Sequence, residues 1–254
     1  MPLLTIITVT YNAERFLERT IQSILANGPG VAFSPADVEY LIVDGGSQDS
    51  TLAIVRQYER YIGRWISEPD KGLYDAMNKG LRLATGDYVW FLNAGDEVYD
   101  SQTIPALLNQ IRSGPADVYY SDALFVDETG QALGLRSQIT PHALPRNLTW
   151  RDMAMGMKVC HQAFIPRREI APPYLTDNFS ADVDWEIRCL KAAQKTVFLH
   201  FVLCKYLTGG LSVQRHRESL EDRFTVLAMH FGYPATVWNH AKILVRAAWF
   251  RLAQ

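Results

Sequence analysis

The chain has 254 residues, 48% of them hydrophobic, and a formal charge of −2. That length supports one substantial core with an appendage. The charge balance excludes a binder that relies on neutralising nucleic-acid phosphates, so no nucleic-acid partner is expected.

Leu3 to Thr10 is a β-rich apolar run and reads as a buried strand. Asn12 can cap a helix from about Glu14 to Ala26, stopped by the NGPG at 27–30. Val38 to Val43 is a second strand that ends at Asp44, and GGSQDS turns into a helix reaching Tyr61, capped by Asp49 or Ser50. Trp65 to Ser67 is a short strand. DKG leads into a helix from Leu73 to Ala84, and Tyr88 to Leu92 is a third strong strand followed by NAGDE. Strand and helix alternate through the first 112 residues. This predicts an α/β fold, with a mostly parallel sheet covered by helices on both faces.

The middle is less regular. Val118 to Tyr120 reads as a strand, residues 123–134 as a hairpin turning near ETG, and 137–158 as an irregular lid or binding segment. His161 to Pro166 and Thr196 to Leu199 read as strands, Asp182 to Ala193 as a helix, and KYLTGGLS as a loop. Arg215 to Met229 and Ala235 to Leu252 are helices. The second carries Trp238, Leu244 and Trp249 interleaved with Lys242, Arg246 and Arg251. That face suits either packing, within the chain or between copies in a homo-oligomer, or peripheral contact with the inner membrane.

Cys160, Cys189 and Cys204 fit neither a disulfide framework nor a zinc site, and their odd number suits a reducing, cytoplasmic setting. The N-terminus lacks the basic region and cleavage site of a signal peptide, and no apolar run reaches 18 residues.

In parallel sheets, ligands bind beyond the carboxyl ends of the strands. Polar residues gather at three such exits: Thr10 to Asn12, Asp44 to Asp49, and Asn93 to Glu97. No GxGxxG frames Gly45 and Gly46, which argues against a dinucleotide oxidoreductase.

The ordered set TIITVTYNAERFLERTIQSI, YLIVDGGSQDST and DKGLYDAMNKGLRLATGDYVWFLNAGDE resembles the GT-A glycosyltransferases of family 2, especially bacterial enzymes of exopolysaccharide, colanic-acid-like or O-antigen synthesis. The likeness is close over residues 3–100 and continues more weakly through CHQAFIPR, SADVDWEIR and YLTGGLS to about 213. It implies a GT-A domain over 1–213, with a nucleotide-sugar half at 1–100 and an acceptor half at 101–213, and a helical extension at 214–254. It also implies inverting transfer from a nucleotide-sugar, usually a UDP-sugar, to a saccharide or lipid-linked acceptor, with Mg²⁺ or Mn²⁺ as cofactor.

The same resemblance assigns residues. Asp44 would read a pyrimidine, or serve as a turn residue. Thr10, Tyr11 and Asn12 would touch base and ribose. Asp70 and Lys71 would lie near base and diphosphate, with Asp75 on the following helix. The family's Asp-x-Asp-Asp is reduced here to Asn93-Ala94-Gly95-Asp96. Asp96 is then the metal ligand, while Asn93 and Gly95 border the donor. A β-turn is the plainer alternative. An acceptor hydroxyl must lose its proton as it attacks, which needs one base. Asp182 is the choice and Asp184 the reserve, though Asp182 could merely cap its helix. His161, Gln162, Gly209 and Gly210 match segments near acceptor or diphosphate, and Trp150 could stack on a sugar face. The depleted acidic motif keeps open a catalytically weak binding or scaffold subunit. A nucleotidyltransferase is a further alternative, although TYNAERF lacks its Gly-rich basic signature.

Overall fold

The computed structural model describes residues 1–26, 37–209 and 216–252. Strand β1 (Leu4–Thr10) is buried along its whole length. It is followed by helix α1 (Leu17–Leu25), β2 (Val38–Asp44), α2 (Thr51–Gln57), β3 (Arg64–Ser67), α3 (Leu73–Leu83) and β4 (Tyr88–Phe91). These strands form one parallel sheet in the order β3-β2-β1-β4. Helices on both faces explain why β1 shows no polar alternation. Its threonines are all engaged internally except Thr10: Thr5 Oγ1 donates to Glu39 and accepts from Gly86 N–H, and Thr8 Oγ1 accepts from Tyr40.

Downstream come β5 (Glu97–Val98), α4 (Thr103–Ser113), β6 (Val118–Tyr120), β7 (Ala123–Val126), β8 (Ala132–Leu135), the short α5 (Arg136–Ile139) and β9 (Phe164–Pro166). Then follow α6 (Ala181–Ala192), β10 (Thr196–Phe198), β11 (Cys204–Leu207), α7 (His216–Phe231) and α8 (Tyr233–Leu252). Two further sheets have the orders β10-β6-β9 and β5-β11-β7-β8. The expected hairpin is β7-β8, its turn gathered by the Asp127 carboxylate, which accepts from the N–H groups of Thr129 and Gln131.

Three expectations need correction. Asn12 does not cap α1. It adopts a left-handed φ of 46° and ties two strand exits together, its N–H donating to Ser47 Oγ and its Oδ1 accepting from Gln48 N–H. Cys204–Leu207, read as loop, is a strand that runs parallel to β7. The stretch 161–163 is a 3-10 turn, and extended structure begins only at Phe164. The irregular 137–158 stretch does contain order: a 3-10 turn spans Trp150–Met155, where Asp152 accepts from Thr149 N–H at 2.8 Å.

Two joints set the site. Asn78 on α3 pairs with the backbone of Tyr174, accepting its N–H at 2.7 Å and donating to its carbonyl at 3.0 Å. On α6, Trp185 stacks on Tyr174 with centroids 4.8 Å apart and donates Nε1–H to Pro172. Among the described residues, no helix is long and apolar enough to cross a membrane.

Candidate active site

The parallel register puts Thr10 beside Asp44 and Asp44 beside Ser67, so three strand exits share one edge. Asp44 itself is fully buried. Its carboxylate accepts from the N–H groups of Gly46 and Ser47 and from the hydroxyls of Ser47 and Ser67. Three of these bonds fall on Oδ2 and one on Oδ1, and together they shape the 44–47 turn. The group that does face this turn is Asp70. A Cβ on Gly45 would lie 2.3 Å from Asp70 Oδ2 and 3.3 Å from the Tyr11 ring. Gly45, Tyr11 and Asp70 therefore bound a narrow slot, in which Tyr11 is exposed and Asp70 Oδ1 accepts from Gly72 N–H. Thr10 Oγ1 is buried there without a partner.

Lys71 is exposed, and its N–H donates to Asp75 Oδ2. Asp75 also lies 4.0 Å from Lys79, which binds Glu68 at 3.0 Å and the Pro69 carbonyl at 2.8 Å. Asp75 thus organises the start of α3 rather than facing the slot directly.

The third exit carries the 93–96 loop. Gly95 has φ +108°, and a Cβ there would meet Leu207 Cδ2 at 2.7 Å, so only glycine fits. Gly95 N–H donates to Thr20 Oγ1, and its carbonyl accepts from Arg19 Nε. The loop presents Asp96 inward, where it accepts from Leu207 N–H at 3.0 Å. Burial pushes its pKa up to about 7, against the hydrogen bonds from Leu207 and from the Gln162 side chain. Asn93 Oδ1 is buried with no partner.

Among the described residues, no group of three or more His, Cys, Asp or Glu side chains could cage a metal. Two oxygen donors remain, the Asp96 carboxylate and the orphaned Asn93 amide oxygen. Hard divalent cations take the rest of their ligands from water and phosphate, so this pair fits such an ion held chiefly by a diphosphate.

Asp182 begins α6, its Oδ1 accepting from Val183 N–H. Burial raises its pKa, partly offset by the Val183 N–H, the Arg223 charge and the Tyr74 hydroxyl. Tyr74 was not anticipated from the sequence. It stands on α3, donates to the Phe179 carbonyl at 3.2 Å and brings the donor-side helix against Asp182. Its place in GLYDAMNKG was the only available signal.

Asp184 is not beside this centre in function. It is buried and bonded to Arg188 at 2.6 Å and His230 Nε2 at 2.8 Å. Burial opposes its ionisation, but the His230 and Arg188 contacts outweigh it and hold its pKa below the ordinary carboxylate value. It joins α6 to α7.

His161 is likewise a core residue. Burial drives its pKa to about 3, Nε2 meets Tyr174 Oη at 2.8 Å, and the ring packs on Phe91 and Trp185. Gln162 does reach the centre, through Asp96. Trp150 stacks on Phe231 with centroids 5.5 Å apart and is flanked by Arg151 and Lys191, so it packs the irregular segment onto α7 instead of offering a sugar platform. Gly209 is exposed with φ +93°. Gly210 lies outside the described residues.

Comparison with known proteins bears directly on this arrangement. The model of "Glycosyl transferase family 2" matches residues 5–171. A "PGL/p-HBAD biosynthesis glycosyltransferase" of Mycobacterium tuberculosis is 33% identical over 221 residues, covering 83% of this chain and 79% of that protein. Among solved structures, S. aureus TarS 1-349 in complex with UDP-GlcNAc superposes with a TM-score of 0.72 at 19% identity, over 97% of this chain and 72% of that one. The mannosyltransferase PcManGT of Pyrobaculum calidifontis, in complex with GDP-Man and Mn2+, gives a TM-score of 0.62 at 16% identity, over 97% and 75%. These two show the shared fold. With two-thirds of its length matching the family model and a relative at one-third identity, this chain is a glycosyltransferase and belongs to glycosyl transferase family 2.

Proposed function

We propose that this protein transfers a sugar, with inversion, from a UDP-sugar to a saccharide or lipid-linked acceptor in cell-surface polysaccharide synthesis. The observation that carries the reading is the pairing of two carboxylates with opposite tasks. Asp96 lies in the loop that follows β4, which also carries the orphaned Asn93 amide oxygen, and Asp182 begins α6 with a raised pKa.

Tyr11 and Asp70 hold the base in the slot opened by Gly45. Asn93 and Asp96 would hold the cation. A bound divalent cation would neutralise charge on the departing nucleoside diphosphate. Asp182 takes the proton of the acceptor hydroxyl while that oxygen bonds to the anomeric carbon. The bond from that carbon to the phosphate oxygen breaks on the opposite face, and the nucleoside diphosphate leaves with the electron pair. UDP-GlcNAc in TarS supports the nucleotide choice, and Mn2+ in PcManGT supports the cation.

The test is calorimetry of UDP, GDP and dTDP sugars, with Mn²⁺ and with EDTA, on wild type and Asp96→Ala. Binding of one donor that needs Mn²⁺ and is lost in the variant is the expected result. Absence of any donor binding would favour the scaffold reading, which the thinned acidic motif motivates.

For α8 we infer peripheral membrane contact. Trp238, Leu244, Val245 and Trp249 are exposed, with Lys242 over the Trp238 ring. Aromatic and basic side chains on one exposed helix suit an anionic interface. Flotation with anionic liposomes should fall on replacing Trp238 and Trp249 by Ser, and equal flotation would overturn the inference.

A further inference from the structure

Away from the donor slot, four cations converge on one imidazole. His142 lies in the field of Arg136, Arg246, Lys158 and Arg223; its own burial, together with these charges, holds its pKa down to about 3. It is therefore neutral and offers no compensation. Arg246 Nη2 lies 3.2 Å from His142 Nδ1 and 3.3 Å from the Met155 carbonyl. Arg136 is buried and gives its two terminal nitrogens to the carbonyls of Lys158 (2.7 Å) and Met157 (2.6 Å). The Nε atoms of Arg223 and Arg246 are buried and have no partner.

None of these four cations forms a salt bridge with a carboxylate of the described residues. The acids nearby do not fill that role. Asp152 is turned back to Thr149, and Asp122 to Ser137. Glu186 follows Asp182 by one helical turn, is fully buried, and has both carboxylate oxygens unpartnered. Burial and the Asp182 charge hold its pKa well above the ordinary carboxylate range, against the nearby Arg136 charge. Asp122 acts on Arg136 and Asp152 on Lys158 only through space; positive charge drawn partly out of water and touching no carboxylate is costly, and a bound anion offsets that cost.

We infer that Arg136, Lys158, Arg223 and Arg246 form a basin beside Asp182 that binds a phosphate or diphosphate group carried by the acceptor. Guanidinium forks match the oxygens of such groups. The location separates this anion from the donor's. The donor slot is built from residues of the first sheet and its loops, whereas the basin is built from α5, the 140–158 stretch, α7 and α8. On α7, Asp222 accepts from Phe179 N–H at 2.7 Å and the Ser219 carbonyl accepts from Ser180 Oγ at 2.9 Å, which seats Arg223 beside the start of α6; an anion held here therefore lies on the Asp182 side, where the acceptor must enter. This assignment rests on Asp182 marking the acceptor side. It also gives α7 and α8 a task in substrate recognition.

The test is a titration of the full chain with inorganic pyrophosphate in EDTA, with and without excess UDP. One pyrophosphate per chain should bind, persist in the presence of UDP, and weaken at least tenfold in Lys158→Gln and in Arg246→Gln. Donor binding, measured separately with UDP and Mn²⁺, should be unchanged in both variants, which also shows that they fold. Farnesyl diphosphate and glucose 1-phosphate then separate the sources. Competition by the first assigns a lipid-linked diphosphate, and competition by the second alone a sugar phosphate. Absence of pyrophosphate binding, displacement by UDP, or unchanged affinity in the variants would overturn the basin. Exclusion of both esters would reduce it to a free-anion site and overturn the acceptor assignment. Failure of the wild type to bind UDP with Mn²⁺ would instead count against the donor reading alone.

Discussion

Asp184 and His230, far apart in sequence, meet at 2.8 Å between Oδ1 and Nε2. Lys191 Nζ lies 2.9 Å from the other ring nitrogen. A lysine can only donate, so Nδ1 accepts and Nε2–H donates to the carboxylate. Together with Arg188, this chain of contacts fastens α7 to the helix that carries Asp182.

Breaking that fastening should cost stability. Asp184→Asn leaves Arg188 without its counter-charge and should lower unfolding free energy by about 3 kcal/mol, read by urea denaturation. The depressed pKa fixes the sign with pH. This stabilisation is complete above the ordinary carboxylate pKa and is lost as pH falls through the lower folded value. Donor binding should survive under conditions where the variant is folded.

Asp182→Asn should behave in the opposite way. The fold should persist, while kcat falls by about 10²–10⁴-fold, the usual worth of a general base. In the wild type, kcat/KM should fall as pH drops through the raised pKa of Asp182, because only the ionised form accepts the proton. An acid limb unchanged in Asp182→Asn would remove it from this role.

Gly45→Ala tests the base slot. The new methyl would meet the end of the Asp70 side chain, which can move, so thermal stability should change little. The slot would be narrowed, and UDP affinity should fall roughly tenfold, about 1.4 kcal/mol. Full affinity would mean that the base lies elsewhere.

Gly95→Ala tests the loop behind Asp96. A side chain at φ +108° is strained and would meet Leu207 as well. The expected loss is about 1–3 kcal/mol of stability, accompanied by weakened Mn²⁺-dependent donor binding, both measurable on the same purified protein.

The first sheet could be read from sequence because β1, β2 and β4 are unbroken apolar runs ending in polar residues, and strand exits in such sheets face ligands. That reasoning pointed to Asp96 as a candidate, while Asp70 and Asp182 came from the family resemblance of DKG and SADVDWEIR. It could not foresee that Ser67 would arrive from another strand to bond Asp44 Oδ2. It misread Asp184 because its partner His230 belongs to a helix 46 residues on. His161 and Trp150 have chemically suggestive side chains, and only their packing against Tyr174 and Phe231 shows that they are structural. The strand Cys204–Leu207 is short and only partly buried, and its pairing with β7 is long-range, so local pattern carried no trace of it. The cationic basin could not be assembled from sequence for the same reason: its members are spread from residue 136 to residue 246.

The pairing of Asn78 with the backbone of Tyr174 reaches beyond packing. One amide supplies both the donor and the acceptor that a neighbouring strand would have offered, so α3 and the 172–176 segment are spliced as if by a single rung of sheet. Any opening of the cleft must carry both together. For protein engineering, this makes residues 1–100 a poor cassette: grafted onto another relative's remaining sequence, they would keep their own sheet but lose this rung unless the recipient presents a carbonyl and an N–H at the same place.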